Sequence, residues 1–250
     1  MLPEMNFEQY QEILTRYWGY TSFRPLQEDI IRSVAEGRDT LGLMPTGGGK
    51  SITFQVPALA QEGICLVITP LIALMKDQVA RLNSLEIKSA AIHSGMTSEE
   101  IDITLDNCIY GDYKFLYVSP ERIATRLFQS RVGRLNLSLV AIDEAHCISQ
   151  WGYDFRPSYL RIKELRDYIS DKVPFLALTA TATTLVIDDI MTKLGFREKN
   201  VLRTSFHRKN ISYLVRRTED KGKYLVKTLK KAGGSGIVYV RSRKRCKEVA

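Results

Sequence analysis

Short continuous apolar runs alternate along this chain with longer stretches whose apolar positions recur every three or four residues. The continuous runs end at Met44 or span residues 64–69, 89–93, 114–118, 137–142 and 173–178, and they read as strands buried on both faces. The periodic stretches read as helices. Residues 6–17 turn Phe7, Ile13 and Leu14 to one side. The next helix sets Leu26, Ile30 and Val34 on one face, with Pro25 in its first turn and Gly37 at its end. Ile52, Phe54 and Val56 open a third, and Leu71, Leu74, Met75, Leu82 and Leu85 make the stripe of a fourth. Thr97-Ser98-Glu99-Glu100 is a capping box that opens a helix with Ile101 and Leu105 inward. Ser119-Pro120 starts another, and helices near 158–169 and 184–194 complete the series. This alternation predicts an α/β fold, a parallel sheet with helices on both faces. Ligands of such sheets bind at the carboxyl ends of the strands. Lys50, Pro70, Ser119, Asp143 and Thr179 all fall there.

Beyond residue 196 the alternation weakens. Residues 197–212 read as a linker, and 211–216 and 236–240 as short strands on either side of a basic helix. Gly233-Gly234-Ser235-Gly236 reads as a turn, and another helix begins near Arg243.

Composition narrows the class. The 250 residues are 44% hydrophobic and 26% charged, ordinary for a soluble globular protein. No apolar stretch has the length of a membrane span, and the start lacks a basic-then-apolar leader, so an intracellular, cytoplasmic protein without a membrane partner is expected. Cys65, Cys108, Cys147 and Cys246 are widely spaced, which argues against a zinc cage and against a disulfide framework. Cys65 and Cys147 lie beside apolar runs and read as buried thiols. The net charge of +8 is uneven. Residues 197–250 carry 17 Lys/Arg against 4 Asp/Glu, whereas residues 1–196 carry 19 against 24. The basic tail suits either a polyanion or a solvated surface.

Chemistry concentrates in three places. Thr46-Gly47-Gly48-Gly49-Lys50-Ser51 links a strand to a helix. Its glycines let successive N–H groups curl around an anion, and the helix N-terminus adds its dipole. Lys50 suits β/γ-phosphates and the Ser51 hydroxyl suits Mg²⁺. The usual earlier glycine is replaced by Met44, so a plain glycine turn is the alternative. Further on, an apolar strand ends in Asp143-Glu144. Nucleotide hydrolysis needs one carboxylate on Mg²⁺ and another group to orient water, roles that suit Asp143 and Glu144 respectively. A pair of helix-capping acids is the alternative. Finally, Trp151, Tyr153, Phe155 and Arg156 crowd a stretch broken by Gly152, Asp154 and Pro157, hence a loop. Exposed aromatics beside an arginine suit stacking on a single strand, at about 1–3 kcal/mol per base.

Taken together, these motifs resemble the RecQ family of DNA helicases, within the DEAD/DEAH-type superfamily. Asp143-Glu144-Ala145-His146 matches the DEAH box, residues 46–51 after Met44-Pro45 match the nucleotide loop, and Phe23-Arg24-Pro25-Leu26-Gln27 matches the adenine-side motif. The resemblance implies a complete RecA-like three-layer αβα lobe over residues 1–196, an interlobe linker over 197–210 and the start of a second RecA-like lobe over 211–250. It implies ATP and Mg²⁺ as cofactors. Gln27 would read the adenine edge while Tyr20 and Arg24 sandwich the ring. Thr46, Gly47, Gly48, Gly49, Lys50 and Ser51 would hold the phosphates, with Ser51 and Asp143 on Mg²⁺. Lys50, Asp143, Glu144 and His146 would form the catalytic set. Single-stranded and partly duplex DNA are the implied partners, touched by Pro70, Ser119, Arg122, Trp151, Phe155 and Arg156. Gln150, Thr179 and Thr181 would couple the two sites, with His146 as the link. His93, after a strand near that face, is a further candidate for a phosphate contact.

Ile237-Val238-Tyr239-Val240-Arg241-Ser242-Arg243 matches the first motif of the second lobe. The later motif that supplies arginine fingers is not among these residues, nor are the family's zinc-binding and winged-helix modules. The chain therefore reads as the N-terminal part of a longer helicase. It is expected to bind ATP–Mg²⁺ and single-stranded DNA without zinc, to hydrolyse weakly and not to unwind. An RNA helicase of DEAH type and a non-catalytic, nucleotide-responsive strand-binding module are the competing readings. A small-molecule kinase would need lid residues that the sequence does not offer.

Overall fold

The computed structural model describes residues 7–203 and 211–249. It divides into two units, Met1–Phe206 and His207–Ala250. In the first, α1 (Glu8–Trp18) and α2 (Gln27–Ala35) precede β1 (Thr40–Leu43), then α3 (Ile52–Ala60), β2 (Ile64–Ile68), α4 (Ile72–Ser84) and β3 (Ser89–Ile92). The chain continues through α5 (Ser98–Tyr110), β4 (Phe115–Val118), α6 (Pro120–Ile123), α7 (Arg126–Val132) and β5 (Leu137–Ile142). Two three-ten helices, Ala145–Ile148 and Pro157–Asp167, lead to β6 (Phe175–Thr179), α8 (Thr184–Leu194) and β7 (Val201–Arg203). The strands form one sheet in the order β3-β4-β2-β5-β6-β1-β7, and every pair is parallel.

Strand periodicity divides the core between two faces. Leu66, Leu116, Val140 and Ala177 pack with Leu105 of α5, Phe128 of α7 and Ile190 of α8. Val67, Tyr117, Ala141 and Leu178 point the other way, toward Ile30 of α2, Phe54 of α3 and Met75 of α4. This is a RecA-like α/β lobe. Gly42 explains how α2 lies flat on the sheet. A Cβ there would come within 2.8 Å of the Ile30 terminal methyl and 2.9 Å of a Leu178 methyl, so a larger residue would have to push these side chains aside. The Thr97–Glu100 capping box is formed, and Ile101 and Leu105 are buried.

Several local expectations are corrected. Pro25 lies in the turn before α2, where Leu26 takes a positive φ of 74° as the residue preceding the helix. Leu71 and Leu74 are exposed. Leu71 precedes α4 in extended conformation, and α4 is buried only through Met75 and Leu82. The helix near 158–169 is a three-ten helix. Residues 201–203, read as linker, pair in parallel with β1 and extend the sheet. In the second unit, α9 (Lys221–Ala232) and α10 (Arg243–Val249) form, but 211–216 and 236–240 are not strands. Tyr213, Val215, Ile237 and Tyr239 are exposed there, and a strand needs a neighbour to take up its backbone groups. Residues 204–210 of the expected linker lie outside the described residues.

The amino end of β1 is fastened by one buried carboxylate. Asp39 Oδ1 accepts the Phe175 N–H at 2.9 Å. Asp39 Oδ2 accepts from the Arg197 backbone and from its Nε, each at 3.0 Å, and Arg166 lies 2.9 Å away. Arg166 also stacks 3.7 Å from the Phe175 ring. Burial alone would raise the Asp39 pKa, but the hydrogen bonds from Arg197, Phe175 and Arg166 outweigh it and the carboxyl sits below its usual range. A depressed pKa stabilises the fold above the unfolded value and ceases to do so as pH falls through the folded one. Asp39→Ala should cost about 3–5 kcal/mol in urea denaturation, since it strands a buried guanidinium. Asp39→Asn should flatten the loss of stability that the parent chain shows on acidification below about pH 4.

Candidate nucleotide and nucleic-acid site

The loop after β1 is shaped by its glycines. Gly47 and Gly49 take φ values of 77° and 79°, which side chains disfavour. A Cβ at Gly48 would stand 2.9 Å from the Pro45 carbonyl, and one at Gly49 would run into the Gln27 amide. Met44 continues the strand by donating to the Thr179 carbonyl at 3.0 Å. Ser51 then enters α3. The segment before α2 grips this loop from the side. Gln27 Nε2 donates to the Gly49 carbonyl at 3.0 Å, Gln27 Oε1 accepts the Arg24 N–H at 2.8 Å, and the Arg24 guanidinium donates to the Gly47 carbonyl. Gln27, expected at the adenine edge, is 3% exposed with its amide engaged on the loop. Together with Tyr20 and Arg24 it lines a cavity of about 340 Å³ that reaches Gly47, Gly49 and Ser51. Trp18, Gln78 and Arg81 also line it. No motif marks these three; the packing of α1 and α4 brings them in.

At the end of β5, Asp143 is held by its backbone. Its N–H donates to the Ile68 carbonyl, and its carbonyl accepts the Tyr159 hydroxyl, both at 2.9 Å. Glu144 has φ 49° and ψ 43°, the left-handed region. Such strain in a non-glycine residue is retained only where the surroundings enforce it. Here it leaves the Glu144 carboxylate between Lys50 Nζ at 3.6 Å and His146 Nδ1 at 3.3 Å. His146 Nδ1 also lies 3.0 Å from the Thr179 hydroxyl, which donates to the Thr181 carbonyl at 3.2 Å. Lys50, Glu144, His146, Thr179 and Thr181 thus form one polar chain across β1, β5 and β6. Asp143 is pushed above the usual carboxylate pKa, chiefly by burial, with the Glu144 charge adding and Lys50 opposing.

A half-buried carboxylate held above its usual pKa beside a glycine loop fits a divalent cation. No three acidic, histidine or cysteine side chains cluster as a metal cage among the described residues.

The remaining candidates lie along the same strand ends. Arg156 pairs with Asp154 at 2.9 Å and reaches the Pro70 carbonyl at 3.5 Å, so these loops are joined. Arg122 donates to the His93 carbonyl at 2.9 Å, and burial together with Lys76 and Arg122 holds the His93 pKa below its usual value. Ser119 is buried with its hydroxyl unpartnered. The stretch after the DEAH segment is a loop. Trp151 is 70% exposed and Tyr153 fully so, Gln150 is exposed at the root, and Phe155 is half-buried.

Comparison with known proteins agrees with this geometry. The family model described as DEAD/DEAH box helicase matches residues 24–190. The chain is 44% identical to the ATP-dependent DNA helicase RecQ of Bacillus subtilis, over 96% of this chain and 41% of that protein. It is 40% identical to RecQ of Haemophilus influenzae, over 95% and 38% respectively. A crystal structure of the DUF1998 helicase MrfA bound to DNA and AMPPNP shares the fold, with a TM-score of 0.69 and 19% identity over 97% of this chain and 37% of that one. The chain therefore belongs to the DEAD/DEAH box helicases, and within them to the RecQ family. It spans about two fifths of the length of the RecQ relatives it matches.

Lys50→Ala should weaken ATP–Mg²⁺ binding by about tenfold or more in titration calorimetry, the scale of a lost charge-assisted contact. Asp143→Asn should have opposite effects on two readouts. A raised folded pKa means that folding penalises the ionised carboxylate, and the penalty grows as pH rises through that value. Asparagine removes it, so the nucleotide-free thermal midpoint at neutral pH should rise while the stabilisation given by ATP–Mg²⁺ disappears.

Proposed function

We propose that residues 1–206 form the ATP-binding lobe of a DNA helicase that moves 3′ to 5′ along single-stranded DNA. The observation that carries this reading is the unbroken path Lys50–Glu144–His146–Thr179, which starts at the nucleotide loop and ends beside the loop bearing Trp151. The N–H groups of Gly47 and of residues 49–51 receive the phosphates, while that of Gly48 closes the turn on the Pro45 carbonyl. Lys50 turns from Glu144 to the β/γ-phosphates, which frees the Glu144 carboxylate to orient the attacking water. Ser51 and Asp143 would hold Mg²⁺, which would neutralise charge on the phosphates. His146, relieved of a carboxylate neighbour, adjusts its contact with Thr179. Arg24 and Tyr20 bracket the base, and Gln27 keeps the loop in register with them. Trp151 offers a stacking face, while Arg156 and Arg122 offer charge to the strand. Arginine fingers are worth about 10³–10⁵ in rate in such enzymes, and none of the motifs described above supplies them. For these 250 residues alone the reading is slow turnover and no strand separation.

An ATPase assay with and without single-stranded DNA tests this. DNA should raise the rate, single-stranded RNA should not, and indifference to both would defeat the proposal. Glu144→Gln should retain ATP binding yet lower hydrolysis by about 10²–10⁴. Trp151→Ala should weaken single-strand binding by about 1–3 kcal/mol in an anisotropy titration.

A further inference from the structure

The loop that carries Trp151 is anchored at a second place. Ser149 is fully buried between the three-ten helix Ala145–Ile148 and α8. Its hydroxyl donates to Asp189 Oδ2 at 2.7 Å and accepts the Trp151 N–H at 3.2 Å. Lys193, one turn further along α8, donates to the same carboxylate oxygen at 2.9 Å and reaches the Ile148 carbonyl at 3.4 Å. Lys193, with Ser149 after it, holds the Asp189 carboxyl below the usual range despite partial burial.

A serine hydroxyl has one hydrogen and two lone pairs. Asp189 commits that hydrogen, which turns a lone pair to the Trp151 N–H. The carboxylate thereby orients the backbone at the first aromatic residue without touching it. Gly152 then folds back, and a Cβ there would meet the His146 carbonyl at 2.8 Å and the Ser149 carbonyl at 3.2 Å. The backbone at Trp151 and Gly152 is thus held between Ser149 and the histidine of the nucleotide path, while the Trp151 side chain stays exposed. Both restraints return to one segment. His146 contacts Thr179 at the end of β6, and Ser149 contacts Asp189 on α8, which begins five residues after that threonine.

We propose that Asp189 is a positioning residue for the Trp151 loop, acting through Ser149 with Lys193 as its counter-charge. In this arrangement β6 and α8 hold the loop at two points, so a strand stacked on Trp151 bears on the segment that His146 reads. The inference rests on the loop's being the single-strand contact, and the test separates the two ideas.

The chain has two tryptophans, so a Trp18→Phe background leaves Trp151 as sole reporter. In that background Asp189→Ala should lower the steady-state fluorescence anisotropy of Trp151 in the free protein. It should also weaken binding of a fluorescein-labelled oligothymidylate by about tenfold, the scale of a hydrogen bond to a charged group. ATP–Mg²⁺ affinity should not change, because Asp189 stands apart from the phosphate loop. Asp189→Asn, which keeps an acceptor for Ser149, should restore most of the anisotropy and the affinity. Wild-type anisotropy and oligonucleotide affinity in Asp189→Ala would overturn the proposal. So would a parallel fall of DNA and ATP affinity with the thermal midpoint in both variants, which marks a merely structural role. If the parent chain binds no oligonucleotide, the functional reading fails instead, and the anisotropy of the free protein still decides whether Asp189 positions the loop.

Discussion

One carboxylate organises the upper face of this lobe. Glu144 stands between a lysine from the loop after β1 and a histidine that touches the end of β6. Lys50 faces one carboxylate oxygen and His146 the other, so a turn of the carboxylate toward either neighbour alters the other's surroundings. The backbone at Glu144 is strained to make this arrangement. A residue with ordinary helical dihedrals would aim its side chain elsewhere, and the loop and the histidine would become independent. The sheet order makes the meeting cheap. β5, β6 and β1 are consecutive neighbours, so three segments far apart in sequence end side by side.

The opposite end of the same strands is rigid for a related reason. Asp39 gathers Arg197, Arg166 and the Phe175 N–H where β1 and β6 begin. Here two guanidinium groups enclose one carboxylate, whose oxygens are fully engaged. At the upper end Asp143 is left under-compensated. The fold thus places a carboxylate held below its usual pKa beneath the strands and one held above it at their upper ends, which separates stability from chemistry along a single axis. Natural sites commonly keep such local dissatisfaction where a ligand will relieve it.

Much of this was legible in the sequence because the determinants are local. Apolar runs marked six of the seven strands, the capping box marked α5, and the acids at 143–144 followed directly from an apolar strand. The glycines of the phosphate loop could be read for their backbone freedom alone. What escaped notice depends on tertiary neighbours. β7 is three residues long inside a basic segment and exists because β1 offers it an edge. Leu71 and Leu74 fit a helical stripe by spacing, yet α4 presents a narrower face to the sheet than that spacing suggests. Residues 211–216 have the composition of a strand without a partner strand. Gln27 carried a family role that concealed its grip on the phosphate loop. Ser149 and Asp189 meet across forty positions, a contact that no periodicity encodes.

The pairing of β7 with β1 has a mechanical consequence. β1 leads straight into the phosphate loop, and β7 runs parallel beside it, residue 41 against 201 and residue 43 against 203. A force applied at Arg203 along the strand axis loads this pair in shear. Parallel ladder bonds under shear share the load instead of opening one after another like a zipper. Displacement of the exit strand is therefore transmitted to β1 as a sliding stress along its length. The first part of the molecule to feel it, besides β7 itself, is the strand on which the phosphate loop is mounted.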